Sequence, residues 1–158
     1  MRVALKIEPN HLIEYLHSLV DASAKVSADS RQIRSGDIFF AYPVGHGNAL
    51  RDGRQYIDAA LSNGASVVVF DPADVDAQYL DHPQCVAVEN LANNAGELCA
   101  QWYGYPSKKL QMIGVTGTNG KTTVTQWIAQ ALESKFKKTA VMGTLGAGLL
   151  GQLESTGF

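Results

Sequence analysis

The sequence has few cysteines, little net charge and no long apolar segment, and each shortage excludes a class of protein. Cys85 and Cys99 lack the C-x-x-C spacing and the nearby histidine pair of a zinc site, so we expect buried free thiols. A net charge of −2 provides no broad electrostatic surface for nucleic acid or an anionic membrane. No apolar stretch could span a bilayer, and residues 1–8 are too charged for a signal peptide. We therefore expect a cytoplasmic protein.

The most informative segment, residues 110–132, is an apolar run followed by a glycine-rich loop, one lysine, two threonines and a helical pattern. Loop glycines let the backbone approach a phosphate closely, and the N-terminus of the next helix adds partial positive charge. Lys121 adds a full charge, and the Thr122 hydroxyl is placed to ligate the Mg²⁺ that accompanies ATP or GTP. The segment predicts a nucleoside triphosphate site.

This loop departs from the general pattern G-x-x-x-x-G-K-[ST], because Val115 stands where the first glycine should fall. An incidental turn is disfavoured, since strand, loop and helix follow in the required order. The loop is Thr116-Gly117-Thr118-Asn119-Gly120-Lys121-Thr122-Thr123, which resembles the ATP loop of the Mur ligases and of folylpolyglutamate synthetases. The resemblance implies a catalytic Lys121, a Mg²⁺ ligand in Thr122, and ATP contacts from Gly117, Thr118, Asn119, Gly120, Lys121, Thr122 and Thr123.

Hydrophobic periodicity predicts an α/β protein with two domains. The predicted helices are residues 10–22, 54–63, 91–103 and 122–136, and the predicted strands are residues 38–42, 66–70, 85–88, 110–115 and 139–142. The polar segment 104–109 contains Gly and Pro where the periodicity stops, which favours a domain boundary. We predict a small α/β domain over residues 1–105. Residues 106–158 would be the opening strand, loop and helix of an incomplete P-loop-type ATP-binding domain.

The first domain has three short segments, residues 28–31, residues 36–37 and residues 44–48 followed by 51–53, that carry more polarity than packing requires. Small and turn-forming residues at such places let backbone and short side chains converge on a ligand. Judged by spacing alone, three ordinary solvated turns are the favoured interpretation.

A resemblance reverses that preference. The segments Asp29-Ser30-Arg31, Ser35-Gly36-Asp37-Ile38-Phe39, Gly45-His46-Gly47 and Asp52-Gly53-Arg54-Gln55-Tyr56-Ile57 resemble the amino-terminal domain of MurE-type and MurF-type ligases, which holds a uridine diphosphate sugar. This resemblance implies that Ala28, Ser30, His46, Gly47 and Asn48 contact the substrate. Two segments resemble the MurE type more than the MurF type, namely Thr118-Asn119 and Ala140-Val141-Met142-Gly143-Thr144.

The MurE-type resemblance implies an ATP-dependent ligase of peptidoglycan precursor synthesis, with roles in cell wall biogenesis, cell shape and cell division. Such an enzyme adds the third stem amino acid to UDP-N-acetylmuramoyl-L-alanyl-D-glutamate, using ATP and Mg²⁺. The substrate carboxylate attacks the γ-phosphate, and an incoming amine then displaces phosphate. Residues 140–151 resemble diaminopimelate-adding enzymes more than lysine-adding ones, which implies meso-diaminopimelate as the added amino acid and leaves lysine as the open alternative. We expect a monomer without nucleic-acid or membrane partners.

The same resemblance implies that the carbamylated lysine, the ligands of a second metal and the amino-acid-selecting domain lie outside this chain. We therefore expect an amino-terminal fragment without ligase activity of its own. A non-catalytic module that binds a UDP-sugar or a nucleotide, and the related MurF ligase, are the alternatives. A complete P-loop kinase or hydrolase is disfavoured, because no acidic strand end follows the loop.

Overall fold

The computed structural model describes residues 8–45, 50–136 and 138–155. The chain divides into two compact units, unit 1 (Met1–Leu110) and unit 2 (Gln111–Phe158). The division falls one residue after the polar segment 104–109. Among the described helices, none is both long and apolar enough to cross a membrane.

Unit 1 is built around a parallel sheet. Its strands are β1 (Val26–Ser27), β2 (Ile38–Ala41), β3 (Pro43–Val44), β4 (Arg51–Asp52), β5 (Val67–Phe70) and β6 (Cys85–Ala87). Its α-helices are α1 (Pro9–Leu19), α2 (Ile57–Ser62), α3 (Ala77–Leu80) and α4 (Leu91–Trp102). Strands β1, β2, β5 and β6 pair in parallel in that order, whereas β3 and β4 form a separate antiparallel ribbon.

Helices cover both faces of this sheet, which is why every residue of β2, β5 and β6 is buried. Successive side chains of a strand point to opposite faces. Ile38 and Phe40 accordingly pack in one cluster with α1 and α4, and Phe39 and Ala41 pack in another with α2 and α3. Unit 1 is thus a three-layer α/β/α unit, and the predicted α/β class is confirmed.

Two local predictions in unit 1 need correction. The helix predicted at residues 54–63 begins as a 3₁₀ turn, Gly53–Tyr56, because the Asp52 carboxylate accepts the Arg54 amide proton and caps a tighter turn. The strand predicted at residues 38–42 ends at Ala41, and Pro43 pairs with Asp52 at the start of a separate ribbon. Gly64, directly after the predicted helix 54–63, has a φ of +96°, which is the conformation of a glycine that ends a helix.

Unit 2 consists of a helix and an antiparallel sheet. The helix α5 spans Lys121–Phe136, and the strands are β7 (Ala140–Gly143), β8 (Gly146–Leu149) and β9 (Gln152–Glu154), paired in that order. Gly146 has a φ of +126°, and a Cβ there would collide with the carbonyl oxygen of Glu154. Glycine therefore permits the close approach of β8 to β9.

The strand predicted at residues 110–115 is wrong, although the predicted helix 122–136 is confirmed as α5. Residues 111–116 form no strand, and Met112 and Ile113 are 69% and 51% exposed. A strand is stabilised by hydrogen bonds to a neighbour. The described strands of unit 2 pair instead with one another, so the predicted parallel β-α-β unit is also absent from this part of the structure.

Candidate functional site

The glycine-containing part of the phosphate loop, residues 116–120, lies directly before α5, and its glycines have the conformations such a loop needs. Gly117 and Gly120 have φ values of +146° and +75°, in the region that favours glycine. The Lys121 ammonium donates hydrogen bonds to the carbonyl oxygens of Gly117 at 2.6 Å and Thr118 at 3.2 Å. The positive charge is therefore held over the loop, beside the N-terminus of α5.

Two hydroxyl groups face each other next to this loop. The Thr122 Oγ1 lies 3.4 Å from the Oγ1 of Thr144, which is in the turn between β7 and β8. The Thr125 hydroxyl differs, because it donates to the Lys121 carbonyl at 2.7 Å within the helix. An open cavity of about 180 Å³ adjoins them; its lining comprises Val115, Lys121, Thr122, Thr125, Gln126, Val141, Met142, Gly143, Thr144, Leu145, Gly146 and Leu153.

This cavity suits an anion bound together with a metal ion. Lys121 is the charged residue among the described lining residues, so the cavity carries net positive charge. The described residues contain no cluster of three His, Cys, Asp or Glu side chains that would hold a metal by themselves. Mg²⁺ is usually bound through few protein oxygens, several waters and substrate phosphates. One hydroxyl from Thr122 therefore fits the share of a Mg²⁺–nucleotide site that this chain would provide.

The candidate substrate residues of unit 1 follow neighbouring strands. Ala28 and Ser30 come directly after β1, and His46, Gly47 and Asn48, which lie outside the described residues, follow β2 and β3 in the chain. Ser30 is 7% exposed and its carbonyl accepts a hydrogen bond from the Asn63 side chain at 2.9 Å. Ligands of parallel α/β sheets bind beyond the carboxyl ends of the strands, which is where Ala28 and Ser30 lie.

Two Asp-x-Arg segments have the same local geometry but different surroundings. Asp29 and Asp52 each accept hydrogen bonds from the backbone and the guanidinium of the arginine two residues later, Arg31 and Arg54. These hydrogen bonds lower the pKa of both carboxyl groups. The Arg31 side chain is 84% exposed, whereas that of Arg54 is 14% exposed.

Arg54 reaches beyond its own turn. Its Nη1 donates to the carbonyl oxygens of Asp71, at 3.3 Å, and of Ala73. Arg54 thus ties the β3–β4 ribbon to the segment after β5. The sequence resemblance includes Arg54 in a segment of a substrate-binding domain, and only the tertiary contacts reveal this structural role.

Asp37 is a second polar residue whose contacts are structural. Its carboxylate accepts hydrogen bonds from the backbone amides of Lys25, at 3.0 Å, and Arg34, at 2.9 Å. These bonds tie the residue before β2 to the residue before β1 and to the loop between the two strands. The polarity of residues 36–37 is accounted for without a ligand.

The chain is similar to known proteins. Residues 115–157 match the family model of the Mur ligase middle domain. The chain is 40% identical to the UDP-N-acetylmuramoyl-L-alanyl-D-glutamate–2,6-diaminopimelate ligase of Ralstonia nicotianae, over 99% of this chain and 30% of that protein. It is 45% identical to the protein of the same name from Neisseria meningitidis serogroup A, over 85% of this chain and 27% of that protein. The chain thus spans less than a third of the length of these relatives.

The fold is also similar to solved structures of Mur ligases. A UDP-N-acetylmuramoyl-L-alanyl-D-glutamate–2,6-diaminopimelate ligase aligns with 89% of this chain and 29% of its own, at a TM-score of 0.58 and 28% identity. The MurF ligase of Thermotoga maritima in complex with ADP aligns with 72% of this chain and 24% of its own, at a TM-score of 0.51 and 27% identity. Sequence and fold agree in both units, and the chain belongs to the Mur ligase family.

Proposed function

We propose that the protein carrying this chain is an ATP-dependent ligase of peptidoglycan precursor synthesis. It would add 2,6-diaminopimelate to UDP-N-acetylmuramoyl-L-alanyl-D-glutamate, as the names of its relatives indicate for those proteins. The observation that carries the proposal is the Lys121 ammonium, held over a glycine loop at the start of α5. Those names favour diaminopimelate over lysine, and the MurE type over the MurF type.

Within this proposal, unit 2 holds the triphosphate. Bound ATP supplies the γ-phosphoryl group that activates the substrate carboxylate. The Lys121 ammonium exchanges its two carbonyl acceptors for phosphate oxygens, which form stronger, charge-assisted hydrogen bonds. It then stabilises charge on the transferring group, because its position is set before the reaction begins. The Thr122 hydroxyl ligates Mg²⁺, and the backbone amides of residues 117–120 surround the phosphates.

Unit 1 holds the uridine diphosphate end of the substrate. Ala28 and Ser30 lie beyond the carboxyl end of β1, and His46, Gly47 and Asn48 are assigned to the same site by sequence resemblance. We expect the two ligands to bind with separate determinants, since Ser30 and Lys121 lie in different units. We also expect a monomer in the cytoplasm, where both ATP and the nucleotide precursor are available.

Isothermal titration with UDP-N-acetylmuramoyl-dipeptide, and separately with MgATP, tests this proposal. Lys121→Ala should remove ATP binding and leave muropeptide binding unchanged, and Ser30→Ala should have the reverse effect. Arg31→Met, beside Ser30 but 84% exposed, is the matched control and should change neither affinity. A chain that binds neither ligand, or whose muropeptide affinity depends on Lys121, would contradict the assignment.

A further inference from the structure

Thr144 lines the nucleotide cavity but is not part of the phosphate loop. Its Oγ1 lies 3.4 Å from the Thr122 Oγ1, although 22 positions separate the two residues in the chain. The nearby Thr125 hydroxyl already donates to the Lys121 carbonyl. Thr122 and Thr144 are therefore the two cavity hydroxyls that the fold brings together.

The backbone around Thr144 is closely packed. Gly143 and Gly146 pair with each other at the end of the β7–β8 hairpin, so Thr144 lies in a two-residue turn. Gly146 is pressed against the Glu154 carbonyl in β9, where a Cβ would not fit. The position of Thr144 is thus set by the sheet, independently of the phosphate loop.

A hydroxyl group has one proton and two lone pairs, and this limits how Thr122 can bind a cation. When the oxygen ligates a metal through a lone pair, its proton must point away from the positive charge. The Thr144 oxygen lies where it can accept a hydrogen bond from the Thr122 hydroxyl. An acceptor that fixes the direction of the proton also fixes the direction of the ligating lone pair, as partners of other metal ligands do.

We propose that Thr144 is a positioning residue of the nucleotide site. Its hydroxyl oxygen accepts a hydrogen bond from the Thr122 hydroxyl and so orients the Thr122 oxygen toward Mg²⁺. This inference rests on the proposed function, because it takes Mg²⁺–ATP as the occupant of the cavity. Thr144 acts through Thr122, so removing its hydroxyl should weaken binding of the metal–nucleotide complex more than binding of the metal-free nucleotide.

The test is titration of the complete protein with the ATP analogue AMP-PNP, once with Mg²⁺ and once with EDTA. Thr144→Val should weaken the Mg²⁺-dependent affinity about tenfold, the effect of one hydrogen bond to a charged site, and leave the EDTA value unchanged. Thr144→Ser, which keeps the hydroxyl, should restore affinity. Thr139→Val is the matched control, because Thr139 precedes β7 and is not among the lining residues.

A double-mutant cycle separates positioning from direct contact. In a Thr122→Val background, Thr144→Val should have no further effect on Mg²⁺-dependent affinity. Additive losses would mean that Thr144 contacts the nucleotide itself, and equal losses with and without Mg²⁺ would mean general damage to the site; either overturns the positioning role. Unchanged Thr144→Val affinity, with binding lost in Lys121→Ala, overturns this inference alone. If the wild type does not bind the analogue, the proposed function fails with it.

Discussion

The two units differ in how far they bury their large apolar side chains. In unit 1, Phe39 and Phe70 lie on adjacent strands and have none of their surface exposed. In unit 2, Trp127 and Met142 are 66% and 81% exposed. An apolar pattern marks a surface that another element must cover, and unit 1 contains its own covering helices. The described part of unit 2 leaves much of its apolar surface open.

The two Asp-x-Arg turns of unit 1 also differ in how far the surrounding structure covers them. Sequence and local hydrogen bonds are alike, yet Arg54 contacts carbonyl groups 17 and 19 positions away, whereas the Arg31 guanidinium donates to Asp29 within its own turn. Burial and distant contacts, and not the motif, decide what each arginine contributes.

The largest expected effect is on the core of unit 1. Phe39→Ala removes a fully buried aromatic ring and should reduce the free energy of unfolding by about 3–5 kcal/mol. Trp127→Ala, on the exposed surface of unit 2, should change it by less than about 0.5 kcal/mol. Urea unfolding followed by far-UV circular dichroism measures both. Equal losses would show that the two surfaces are buried alike in solution and would remove the contrast between the units.

The next effect concerns chemistry in unit 2. In the complete enzyme, Lys121→Ala should lower turnover by about a hundredfold or more, because a preorganised positive charge is lost where phosphoryl charge develops. Muropeptide affinity and melting temperature should stay unchanged. Lys109→Ala, at an exposed lysine outside the loop, is the control for removing a positive charge. Near-normal turnover of Lys121→Ala in a ligation assay would end the assignment.

A smaller effect separates the two arginines of unit 1. Arg54→Met should cost about 1 kcal/mol of stability, because it removes the carbonyl contacts and the ion pair with a partly exposed Asp52. Arg31→Met should produce no measurable change, since that side chain is 84% exposed. Chemical denaturation of the two variants side by side provides the comparison, and equal effects would show that the distant contacts contribute nothing.

The same pair predicts a dependence on pH. Arg54 lowers the folded-state pKa of Asp52, so this carboxylate stabilises the fold above its unfolded pKa of about 3.9. That contribution is lost as the pH falls through the lower, folded-state value. The stability difference between wild type and Arg54→Met should therefore be constant from pH 7 to about 5 and shrink in more acid solution. A difference that grows on acidification would contradict the pairing.

The smallest expected signal is the reactivity of the thiols, both of which lie in unit 1. Burial raises the pKa of Cys85 to about 12 and also raises that of Cys99. At pH 8 little thiolate exists, so a disulfide reagent such as DTNB should label the native chain slowly and the urea-unfolded chain at once. MgATP should not change this rate, because its proposed site lies in unit 2. Rapid labelling of native Cys85 would show that the unit 1 core opens readily.

Much of unit 1 can be predicted because local rules and burial agree there. The apolar runs of β5 and β6 indicate strands covered on both faces, and the structure confirms them. The cap at Gly64 follows from the place of that glycine after a helical pattern. The run at residues 110–115 looks similar but forms no strand, because strand formation also needs a hydrogen-bonding neighbour that periodicity does not reveal.

The candidate sites are predictable to different degrees. The phosphate loop is contiguous, so residues 116–123 can be assigned from sequence, and those assignments stay predictions. Thr144 cannot be found in this way, since its one signal is membership of the MurE-like segment at residues 140–144. Its contact with Thr122 depends on how the β7–β8 hairpin packs beside α5.

The sequence by itself determined the properties that arise among neighbouring residues: helix periods, glycine turns and the lysine that follows the glycine loop. These depend on backbone sterics and hydrogen bonds within a few positions, which the order of residues fully specifies. Only the tertiary structure decided that Arg54 is partly buried and bonded to distant carbonyl groups while Arg31 is solvated, and that Thr144 faces Thr122. Those outcomes depend on which surfaces pack together, because burial and contacts across many positions are properties of the whole fold.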